Sequence, residues 1–482
     1  MLKKYWETAG TLETSESKFH DECAIFGIYR HPEAANVTYL GLYAQQHRGQ
    51  ESSGIVSSDG SDHHIHLGMG LVADVFKREI IEKLHGNMAI GHNRYSTTGA
   101  SKLMNAQPLA IEYSAGYLAI AHNGNLVNAS TVRAELEDIG SIFRSTMDTE
   151  VISHLIAKSS ENTLFSRVVD ALHQARGAYS LLVMNEDEMI AVRDPKGFRP
   201  LVMGKLDGAT VFASETCAFD LIGATFERDL KPGELVHVTS DGVRSHFPFP
   251  PKKSCQCVFE FIYFARPDSN IFGRSVHEVR KNFGKALALE LPVEADMVIP
   301  VPDSGVPAAM GYAEKSGIPF DMGLIRNHYI GRTFIEPESR IRHFGVKLKL
   351  NPIRSLIEGK KVVVVDDSIV RGTTCKKIIG MVRSAGAKEV HMRISSPPTT
   401  HPCFYGIDTP TKEELIASNM TVEETRKFIE ADSLAYLTQE KMLSIFGDEA
   451  VDFCTACFDG NYPIKRFDMD IVQAELFDSI RK

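Results

Sequence analysis

Four consecutive valines, Val362 to Val365, form an apolar run that ends directly at Asp366 and Asp367. Because polar and apolar residues do not alternate in this run, it predicts a parallel β-strand that is covered on both faces. The polar turn that follows predicts a helix beginning near Thr374. Ligands of open α/β sheets bind where parallel strands reach their carboxyl ends. We therefore expect a ligand beside the two carboxylates.

The remaining pattern divides the chain into two α/β halves. An alternating, strand-like pattern begins at Cys23, and short alternating strands with turns continue over residues 177–233. A helical pattern covers residues 276–291. Between these regions, residues 247–254 (FPFPPKKS) are too rich in proline to continue a sheet ladder. The sequence therefore predicts a domain boundary near residue 252.

The turn after the valine strand offers the groups that hold a phosphate. Its hydroxyls and backbone N–H groups can form an anion nest in front of the helix, and they belong to Ser368, Gly372, Thr373 and Thr374. Two carboxylates alone are equally compatible with an ordinary acidic turn. The full stretch KKVVVVDDSIVRGTT, however, resembles the signature of the type I phosphoribosyltransferases, which bind phosphoribosyl pyrophosphate (PRPP).

That resemblance implies further PRPP contacts earlier in the second half. Residues 302–306 suit a strand-to-helix turn that takes the pyrophosphate, and the contacts expected there are Asp303, Ser304 and Gly305. Mg²⁺ is expected to bridge Ser304, Asp366, Asp367 and PRPP oxygens. Residues 326–347 are basic and contain few aliphatic side chains, which favours a flap that closes over PRPP. A solvated surface loop is the alternative for this stretch.

Four motifs follow Cys23 in the first half of the chain. They are YAQQHRGQESSGI (43–55), GHNRYSTTG (91–99), AHNGNLVN (121–128) and MDTEVI (147–152). Each is weak alone, but in this order they resemble the class II glutamine amidotransferase domain, which has the N-terminal-nucleophile hydrolase fold. In that family the nucleophile is the first residue of the mature chain, and its own α-amino group accepts the proton. Residues 1–22 are therefore predicted to be a cleaved leader, rather than a disordered tail before an ordinary buried cysteine.

The same resemblance assigns roles to individual residues of the first half. Cys23 is the expected nucleophile, and Asn123 with the Gly124 N–H is the expected oxyanion hole. Arg94 is expected to bind the glutamine α-carboxylate and Asp148 the α-ammonium group. Tyr95 and Thr97 are expected to make further contacts with glutamine. Without the motifs, an arginine or aspartate on a loop is more often a solvated surface charge.

Four of the eight cysteines form a second candidate site. They are Cys257, Cys403, Cys454 and Cys457. Four thiolates can hold Zn²⁺ or an iron–sulfur cluster, and their spacing does not choose between the two. Their contexts resemble the branch of the glutamine PRPP amidotransferases that has both a cleaved leader and a [4Fe–4S] cluster. On that resemblance the cluster is expected here, and Cys255, Cys217 and Cys375 are not among its ligands.

Composition narrows the remaining possibilities. A chain of 482 residues with 43% hydrophobic and 24% charged residues is typical of a globular protein of two or three domains. Its formal charge of −9 gives no basic surface for nucleic acid. No apolar run is long enough for a membrane span, and the first 22 residues lack the apolar core of a secretory signal. These features predict a cytoplasmic protein.

Together these patterns predict an N-terminal-nucleophile α/β sandwich over residues 23–252 and a phosphoribosyltransferase parallel-sheet domain over residues 253–482, after the leader 1–22. The resemblance implies conversion of glutamine, PRPP and water into 5-phosphoribosylamine, glutamate and pyrophosphate, the committed entry to purine synthesis. It also implies a homotetramer that purine nucleotides inhibit. Two alternatives are an amidotransferase with another acceptor domain and a non-enzymatic protein that binds PRPP.

Overall fold

The computed structural model of the protein describes residues 23–95, 102–327 and 350–464. These residues pack as two compact units. The larger unit contains the described residues of His20–Phe283, His401–Thr409 and Gln439–Lys482, and the smaller unit contains those of Gly284–Thr400 and Pro410–Thr438. The predicted leader, Thr97 and residues 328–347 of the predicted flap lie outside the described residues.

The strands are numbered in chain order. Those before residue 276 are β1 (Ala24–Tyr29), β2 (Ser52–Ser58), β3 (His63–Met69), β4 (Met88–Arg94), β5 (Leu109–Tyr113), β6 (Gly116–Leu126), β7 (Gly177–Met184), β8 (Met189–Arg193), β9 (Val202–Leu206), β10 (Ala209–Ala213), β11 (Thr225–Asp229), β12 (Leu235–Thr239), β13 (Gly242–His246), β14 (Gln256–Cys257), β15 (Asn270–Ile271) and β16 (Arg274–Ser275). Those that follow are β17 (Met297–Pro300), β18 (Leu324–Arg326), β19 (Leu350–Pro352), β20 (Lys361–Asp366), β21 (Glu389–Ile394), β22 (Ser433–Tyr436) and β23 (Phe453–Cys454).

The helices are numbered in the same way. They are α1 (Ala34–Ala44), α2 (Val72–Val75), α3 (Arg78–Ile81), α4 (Ala129–Asp138), α5 (Asp148–Lys158), α6 (Leu164–Gln174), α7 (Cys217–Ile222), α8 (Val276–Glu290), α9 (Val306–Ser316), α10 (Arg354–Ile357), α11 (Thr373–Ser384), α12 (Ile416–Asn419), α13 (Val422–Ile429), α14 (Gln439–Ser444) and α15 (Ala456–Asp459). A π-helical turn covers Glu260–Phe264, and short 3₁₀ turns cover Gln46–Arg48, Leu103–Asn105, Lys412–Glu414 and Gly447–Asp452. Within the described residues, no helix is long and apolar enough to cross a membrane.

Two antiparallel sheets form the middle layers of the larger unit. Their strand orders are β11-β9-β10-β1-β4-β2-β3 and β13-β12-β8-β7-β6-β5. Apolar side chains of both sheets, including Ile25, Ile90 and Leu182, form the core between them. Helices α1, α2 and α7 pack on the outer face of the first sheet, and α4, α5 and α6 pack on that of the second. This four-layer arrangement confirms the α/β sandwich predicted for the first half.

The strand predicted after Cys23 is β1, and all six of its residues are buried. It lies in the middle of the first sheet, between β10 and β4, with a helical layer on one face and the second sheet on the other. The strands predicted over residues 177–233 are β7 to β11. The glycine-containing stretch from His122 to Asn125 lies inside β6, rather than in a turn.

The smaller unit is built on a parallel sheet with the order β17-β20-β21-β22. The valines of β20 are completely buried, because β20 lies between two strands and apolar side chains pack on it from both sides. Helix α11 begins at Thr373, after Gly372 with a φ of +75°. The parallel strand, its burial and the helix start near Thr374 are therefore confirmed.

The predicted boundary segment, residues 247–254, forms no helix or strand. The chain nevertheless stays in the larger unit as far as Phe283. The Cys255 N–H, for example, donates to the Lys196 carbonyl oxygen over 2.8 Å. All four candidate cluster cysteines also lie in the larger unit, because the chain returns to it at residues 401–409 and again from residue 439. The packing units are defined by contacts in the structure and the predicted domains by sequence motifs, so the two need not share boundaries. The predicted bounds 23–252 and 253–482 therefore stay a prediction.

Candidate active sites

Cys23 lies immediately before β1, in the interior of the larger unit. Because β1 pairs with β4 in antiparallel register, Cys23 lies near Arg94 and Tyr95, where β4 ends. Cys23 Sγ donates to the Tyr95 carbonyl oxygen over 3.5 Å. Burial raises the pKa of the Cys23 thiol to about 11, against the opposing effects of this hydrogen bond and of Arg94. The thiol therefore stays protonated near neutral pH unless a base removes its proton.

Two residues of opposite charge, Arg94 and Asp148, contribute to the electrostatic environment of that thiol. Arg94 is buried, with Nη1 3.5 Å from Glu51 Oε2. Asp148 begins α5, where the helix N-terminus favours a carboxylate. Its Oδ2 accepts a hydrogen bond from the Leu126 N–H over 2.9 Å, and its Oδ1 lies 3.5 Å from His122 Nδ1. Burial opposes ionisation, but His122 and the hydrogen bonds outweigh burial and lower the pKa of Asp148.

The predicted oxyanion residues lie on β6. Asn123 is fully buried; its Nδ2 donates to Ser214 Oγ over 3.5 Å, while its Oδ1 accepts no hydrogen bond from the described residues. Ser214 Oγ also accepts from the Ile25 N–H over 3.0 Å, which connects the Asn123 amide to β1. Gly124 has a φ of +152°, and a Cβ there would lie 2.1 Å from the Ala178 carbonyl oxygen. An incompletely paired buried amide beside an obligatory glycine is the arrangement of a polar ligand site.

Residues 401–409 pack against this end of β6. Asn125 Nδ2 donates to the Phe404 carbonyl oxygen over 3.0 Å. Gly406 approaches so closely that a Cβ on it would lie 2.9 Å from Gly124 Cα. This short segment therefore fixes one side of the glycine that is predicted to bind the oxyanion.

A cavity of about 390 Å³ lies next to this contact, entirely within the larger unit. Its lining includes Leu126, Met147 and Asp148, together with Cys403 and Ile407 from the segment just described. A volume in this range accommodates a small-molecule ligand. Asp148 thus faces a space in which an amino acid can bind, and a candidate cluster ligand shares the wall of that space.

A group of buried charges, which the sequence does not predict, lies behind Cys23. Arg48 Nε donates to the Cys23 carbonyl oxygen over 3.2 Å. Its two terminal nitrogens donate to the Glu260 carboxylate over 2.9 and 2.8 Å, and Nη1 also contacts Glu215. Arg199 pairs with the same Glu260 carboxylate. All four charged side chains are 0 or 1% exposed, so their charges are balanced inside the protein rather than by solvent.

The four candidate cluster cysteines approach one another in the larger unit. Cys257 and Cys454 are paired residues of the two short parallel strands β14 and β23. Burial raises the pKa of Cys457 well above its ordinary value, and Cys454, Cys257 and Cys403 raise it further. All four are free thiols. In the part of the chain that the structure describes, however, no three or more His, Cys, Asp or Glu side chains form a group that could hold a metal ion.

The other cysteines differ in their surroundings. Cys255 is buried close to the four thiols, since it contributes to the raised pKa of Cys454. Cys217 is buried at the start of α7, and Cys375 is buried in the core of the smaller unit. Cys255 therefore lies near the candidate site, whereas Cys217 and Cys375 belong to other regions.

The predicted PRPP carboxylates lie at the carboxyl edge of the parallel sheet in the smaller unit. Asp366 ends β20, and both Asp366 and Asp367 are almost fully buried. Asp366 Oδ1 accepts a hydrogen bond from the Asp367 N–H over 3.0 Å. The hydroxyls of Ser304 and Ser368 donate to the two oxygens of Asp367. The structure thus brings the two predicted loops together at one set of oxygen atoms.

The first of these loops connects β17 to α9. A Cβ on Gly305 would lie 2.6 Å from the Val365 carbonyl oxygen, so only glycine fits between the two strand ends. Asp303 pairs with Arg326, but both side chains are about half exposed, and such a pair contributes little stability. The second loop reaches α11, which begins with Thr373 and Thr374, so the N-terminus of this helix lies beside the loop.

Comparisons with known proteins match both halves of the chain. Residues 92–220 match a family described as "Glutamine amidotransferase domain", and residues 271–395 match one described as "Phosphoribosyl transferase domain". The chain is 55% identical over 455 residues to "Amidophosphoribosyltransferase 1, chloroplastic" of Arabidopsis thaliana, covering 94% of this chain and 80% of the relative. It is 56% identical over 451 residues to the chloroplastic enzyme of Vigna aconitifolia, covering 93% of each. The chain belongs to the amidophosphoribosyltransferase family.

A solved member of this family has the same fold. The structure of glutamine PRPP amidotransferase from B. subtilis, complexed with ADP and GMP, superposes with a TM-score of 0.88 at 50% identity, covering 92% of this chain and 98% of that one. As an amidophosphoribosyltransferase, the protein makes 5-phosphoribosylamine, glutamate and pyrophosphate from glutamine, PRPP and water, at the first committed step of purine biosynthesis. The family assignment replaces the two alternatives of another acceptor domain and a non-enzymatic PRPP-binding protein.

The predicted cytoplasmic location is wrong by the same comparisons, because two of these amidophosphoribosyltransferases are named as chloroplastic. The prediction relied on the missing apolar core of a secretory signal. Segments that direct proteins to plastids are amphipathic and rich in serine, and they have no such core. Its absence therefore does not distinguish the cytoplasm from a plastid.

Sequence patterns predicted the charged residues of both sites but missed several of their partners. Arg48 lies inside the motif YAQQHRGQESSGI, and Glu260 follows Cys257 by three positions. Both residues could therefore have been identified from the motifs around them. No motif identifies Ser214 or Gly406, because their partners Asn123 and Gly124 are far away in the chain.

Proposed function

We propose that Cys23 is the nucleophile of glutamine hydrolysis and that cleavage after Glu22 exposes it. The observation that carries this proposal is the buried Cys23 thiol beside Arg94 and Asp148. A free α-amino group on Cys23, with an ordinary pKa of about 7.7 to 8.0, is the base that such a thiol lacks in the uncleaved chain. The thiolate attacks the amide carbon of glutamine, ammonia leaves with the transferred proton, and water hydrolyses the resulting thioester to glutamate.

Asn123 and Gly124 stabilise the tetrahedral intermediate in this proposal. The Asn123 side-chain amide and the Gly124 N–H donate to its oxyanion. The donor side of the buried Asn123 amide supports this role, because Nδ2 carries two hydrogens and its contact with Ser214 Oγ, at 3.5 Å, is long. Loss of one such donor costs about 10²- to 10³-fold in kcat. An Asn123→Ala variant is expected to show that loss, with little change in the KM for glutamine.

Arg94 and Asp148 bind the two charged groups on the α-carbon of glutamine in the same proposal, with Tyr95 and Thr97 as further contacts. The lowered pKa of the Asp148 carboxyl supports the assignment, because it keeps that group charged. A carboxylate at the start of a helix is a stable partner for an ammonium group. The amide carbon of glutamine then lies between the two charged subsites and the thiol.

Two experiments test the role of Cys23. Intact-mass analysis of fully active enzyme should find a chain that begins at Cys23; a fully active chain that retains Met1 to Glu22 would refute the proposal. Cys23→Ala should abolish the use of glutamine but retain synthesis from added ammonia, because the acceptor site lies in the other unit. Loss of both activities in a folded variant would contradict two separable sites.

We propose that PRPP binds at the carboxyl edge of the parallel sheet. The turn residues Ser368, Gly372, Thr373 and Thr374 hold its 5′-phosphate, and Asp303, Ser304 and Gly305 hold its pyrophosphate. Oxygen ligands suit Mg²⁺, and the buried carboxylates of Asp366 and Asp367 with the partly buried Ser304 hydroxyl, which contacts Asp367, supply them. When bound, Mg²⁺ neutralises charge on the departing pyrophosphate. Asp366→Ala should abolish PRPP binding in calorimetry, and unchanged binding would exclude this site.

We propose that Cys257, Cys403, Cys454 and Cys457 hold a [4Fe–4S] cluster. Four free, mutually close thiols fit the ligand set of such a cluster. Four thiolates can also bind Zn²⁺, but the sequence contexts of these four cysteines resemble those of the cluster-bearing branch of the family and favour the cluster. When bound, the cluster joins three separate segments of the larger unit. Stoichiometric zinc without iron in anaerobically purified protein would overturn this assignment.

We also propose that purine nucleotides inhibit the enzyme and that it assembles as a homotetramer. The nucleotide proposal is supported by the relative whose structure is described with ADP and GMP. The test is a titration of ADP and GMP into the ammonia-dependent reaction, which isolates the acceptor site. Native mass spectrometry tests the assembly, and a stable monomer or dimer at working concentration would refute the tetramer.

A further inference from the structure

The Arg48 side chain contacts the backbone of Cys23 and has no place in the chemistry described so far. Its Nε donates to the Cys23 carbonyl oxygen over 3.2 Å. The residue is 1% exposed and is the last residue of a 3₁₀ turn, Gln46–Arg48, that comes shortly after α1. Burial of an arginine destabilises the folded protein unless its N–H groups find hydrogen-bond partners. The partners of this guanidinium therefore indicate its role.

The rest of the Arg48 guanidinium is held by two carboxylates. Nη1 and Nη2 donate to the two oxygens of Glu260 over 2.9 and 2.8 Å, which is a bidentate pair. Nη1 also donates to Glu215 Oε1 over 2.5 Å. Both carboxylates are fully buried. The planar guanidinium is therefore fixed in orientation, with its Nε–H directed at the Cys23 carbonyl oxygen.

The carboxylates are themselves held by other elements of the larger unit. Glu215 accepts hydrogen bonds from His47 Nε2 over 2.9 Å and from the Ser269 hydroxyl over 2.7 Å. Glu260 begins the π-helical turn and also pairs with Arg199. Cys217 and Arg266 also interact with Glu215. The Arg48 guanidinium is thus held by several segments outside β1.

We propose that Arg48, held by Glu260, is a positioning residue for the nucleophile. The inference rests on the proposed role of Cys23. Once the chain begins at Cys23, that residue has a neighbour on only one side, and its carbonyl is its only remaining peptide group. Arg48 holds this carbonyl in place. The α-amino group and the thiol of Cys23 therefore rotate about a backbone whose position is fixed. Catalysis requires the α-amino group and the thiol to be correctly placed relative to the substrate. A misplacement of about 1 Å can lower the rate by about 10²-fold.

The experiment compares Arg48→Lys with Arg193→Lys. Lysine keeps the charge of Arg48 but has no fork to hold the carbonyl and Glu260 together. Arg193 is a matched control, because it is equally buried and donates to the carbonyls of Arg199, Leu230 and Gly197 instead. We expect Arg48→Lys to lower the glutamine-dependent kcat by about 10- to 100-fold, with the KM for glutamine within about threefold of the unmutated enzyme. Arg193→Lys should keep both values within about threefold.

The split between kcat and KM separates positioning from a general loss of structure. An equal fall of kcat in both variants, or a rise of KM together with the fall of kcat in Arg48→Lys, would overturn the inference. If Arg48→Lys does not fold, Glu260→Gln is the second variant, because it removes the charge that orients the fork. A folded Glu260→Gln with unchanged glutamine-dependent kcat would equally overturn it. Cys23→Ala is measured alongside: if that variant still hydrolyses glutamine, the proposed nucleophile itself is wrong.

Discussion

Replacement of Gly406 by alanine tests whether the segment 401–409 supports the oxyanion site. An added Cβ would lie 2.9 Å from Gly124 Cα and 3.0 Å from its carbonyl carbon, closer than such atoms approach in proteins. The Ala178 carbonyl oxygen crowds Gly124 as well, since it would lie 2.1 Å from a Cβ on that residue. We therefore expect the Gly406→Ala backbone to shift by a few tenths of an ångström, and Gly124 to shift with it.

The matched control is Gly140→Ala. Gly140 has a φ of +95°, close to the +104° of Gly406, but a Cβ there meets nothing within 4 Å. Backbone strain from a positive φ costs about 1–3 kcal/mol of folding free energy, so both variants should lose similar stability. Only Gly406→Ala should lose catalysis, because a displaced oxyanion donor lowers kcat, here by about 10- to 100-fold.

The assay measures glutamate release at saturating glutamine, with ammonia-dependent pyrophosphate release as the measure of the acceptor site. We expect the glutamine-dependent kcat of Gly406→Ala to fall and its ammonia-dependent rate to stay near that of Gly140→Ala. Thermal unfolding of both variants shows whether their strain is comparable. If the two variants hydrolyse glutamine at rates within about threefold of each other, the contact with Gly124 does not matter for catalysis.

Three further predictions concern single residues. Asp148→Asn should raise the KM for glutamine by about 10- to 100-fold, because a hydrogen bond to a charged group contributes about 1.5–3 kcal/mol, and glutamate release against glutamine concentration measures it. Cys457→Ser should remove the visible absorbance and acid-labile sulfide of anaerobically purified protein. Burial lowers the pKa of His92 from 6.5 to about 3, so the unfolded chain binds more protons between these values and stability falls as pH drops through this range. His92→Gln should therefore flatten the fall in Tm between pH 7 and 5.

Each of these predictions has an opposite outcome. An unchanged KM in Asp148→Asn would remove Asp148 from the glutamine site. Full iron and sulfide in Cys457→Ser would remove that thiol from the cluster. An equally steep fall of Tm with pH in His92→Gln would mean that other groups determine the acid sensitivity.

The sequence predicted those features of the fold and of the sites that depend on residues close together in the chain. Four β-branched residues without alternation can be buried on both faces, and the parallel strand of Val362 to Val365 follows from that alone. The place of Asp366 at the carboxyl edge then follows from the direction of the strand. Because β1 and β4 pair in antiparallel register, the motif containing Arg94 lies beside Cys23. These features require only a local pattern and a rule of sheet geometry.

The rest depends on contacts between distant segments. Arg48 and Glu260 are 212 positions apart, and no local pattern indicates that they share one buried ion pair. The approach of Gly406 to Gly124 likewise appears only when residues 401–409 pack on β6. The stretch from His122 to Asn125 has the composition of a turn but lies in a strand, because pairing with β7 outweighs its weak local preference.

The return of the chain to the larger unit has a consequence for its synthesis. Residues 401–409 are made after β17, β20 and β21, and the segment from 439 onward is made after the whole parallel sheet of the smaller unit. A chain released from the ribosome before residue 401 lacks Phe404, Gly406 and three of the four cluster cysteines. Such a fragment contains every predicted glutamine-binding residue but not the segment that packs behind them. We therefore expect full glutaminase activity only from chains that extend past residue 409.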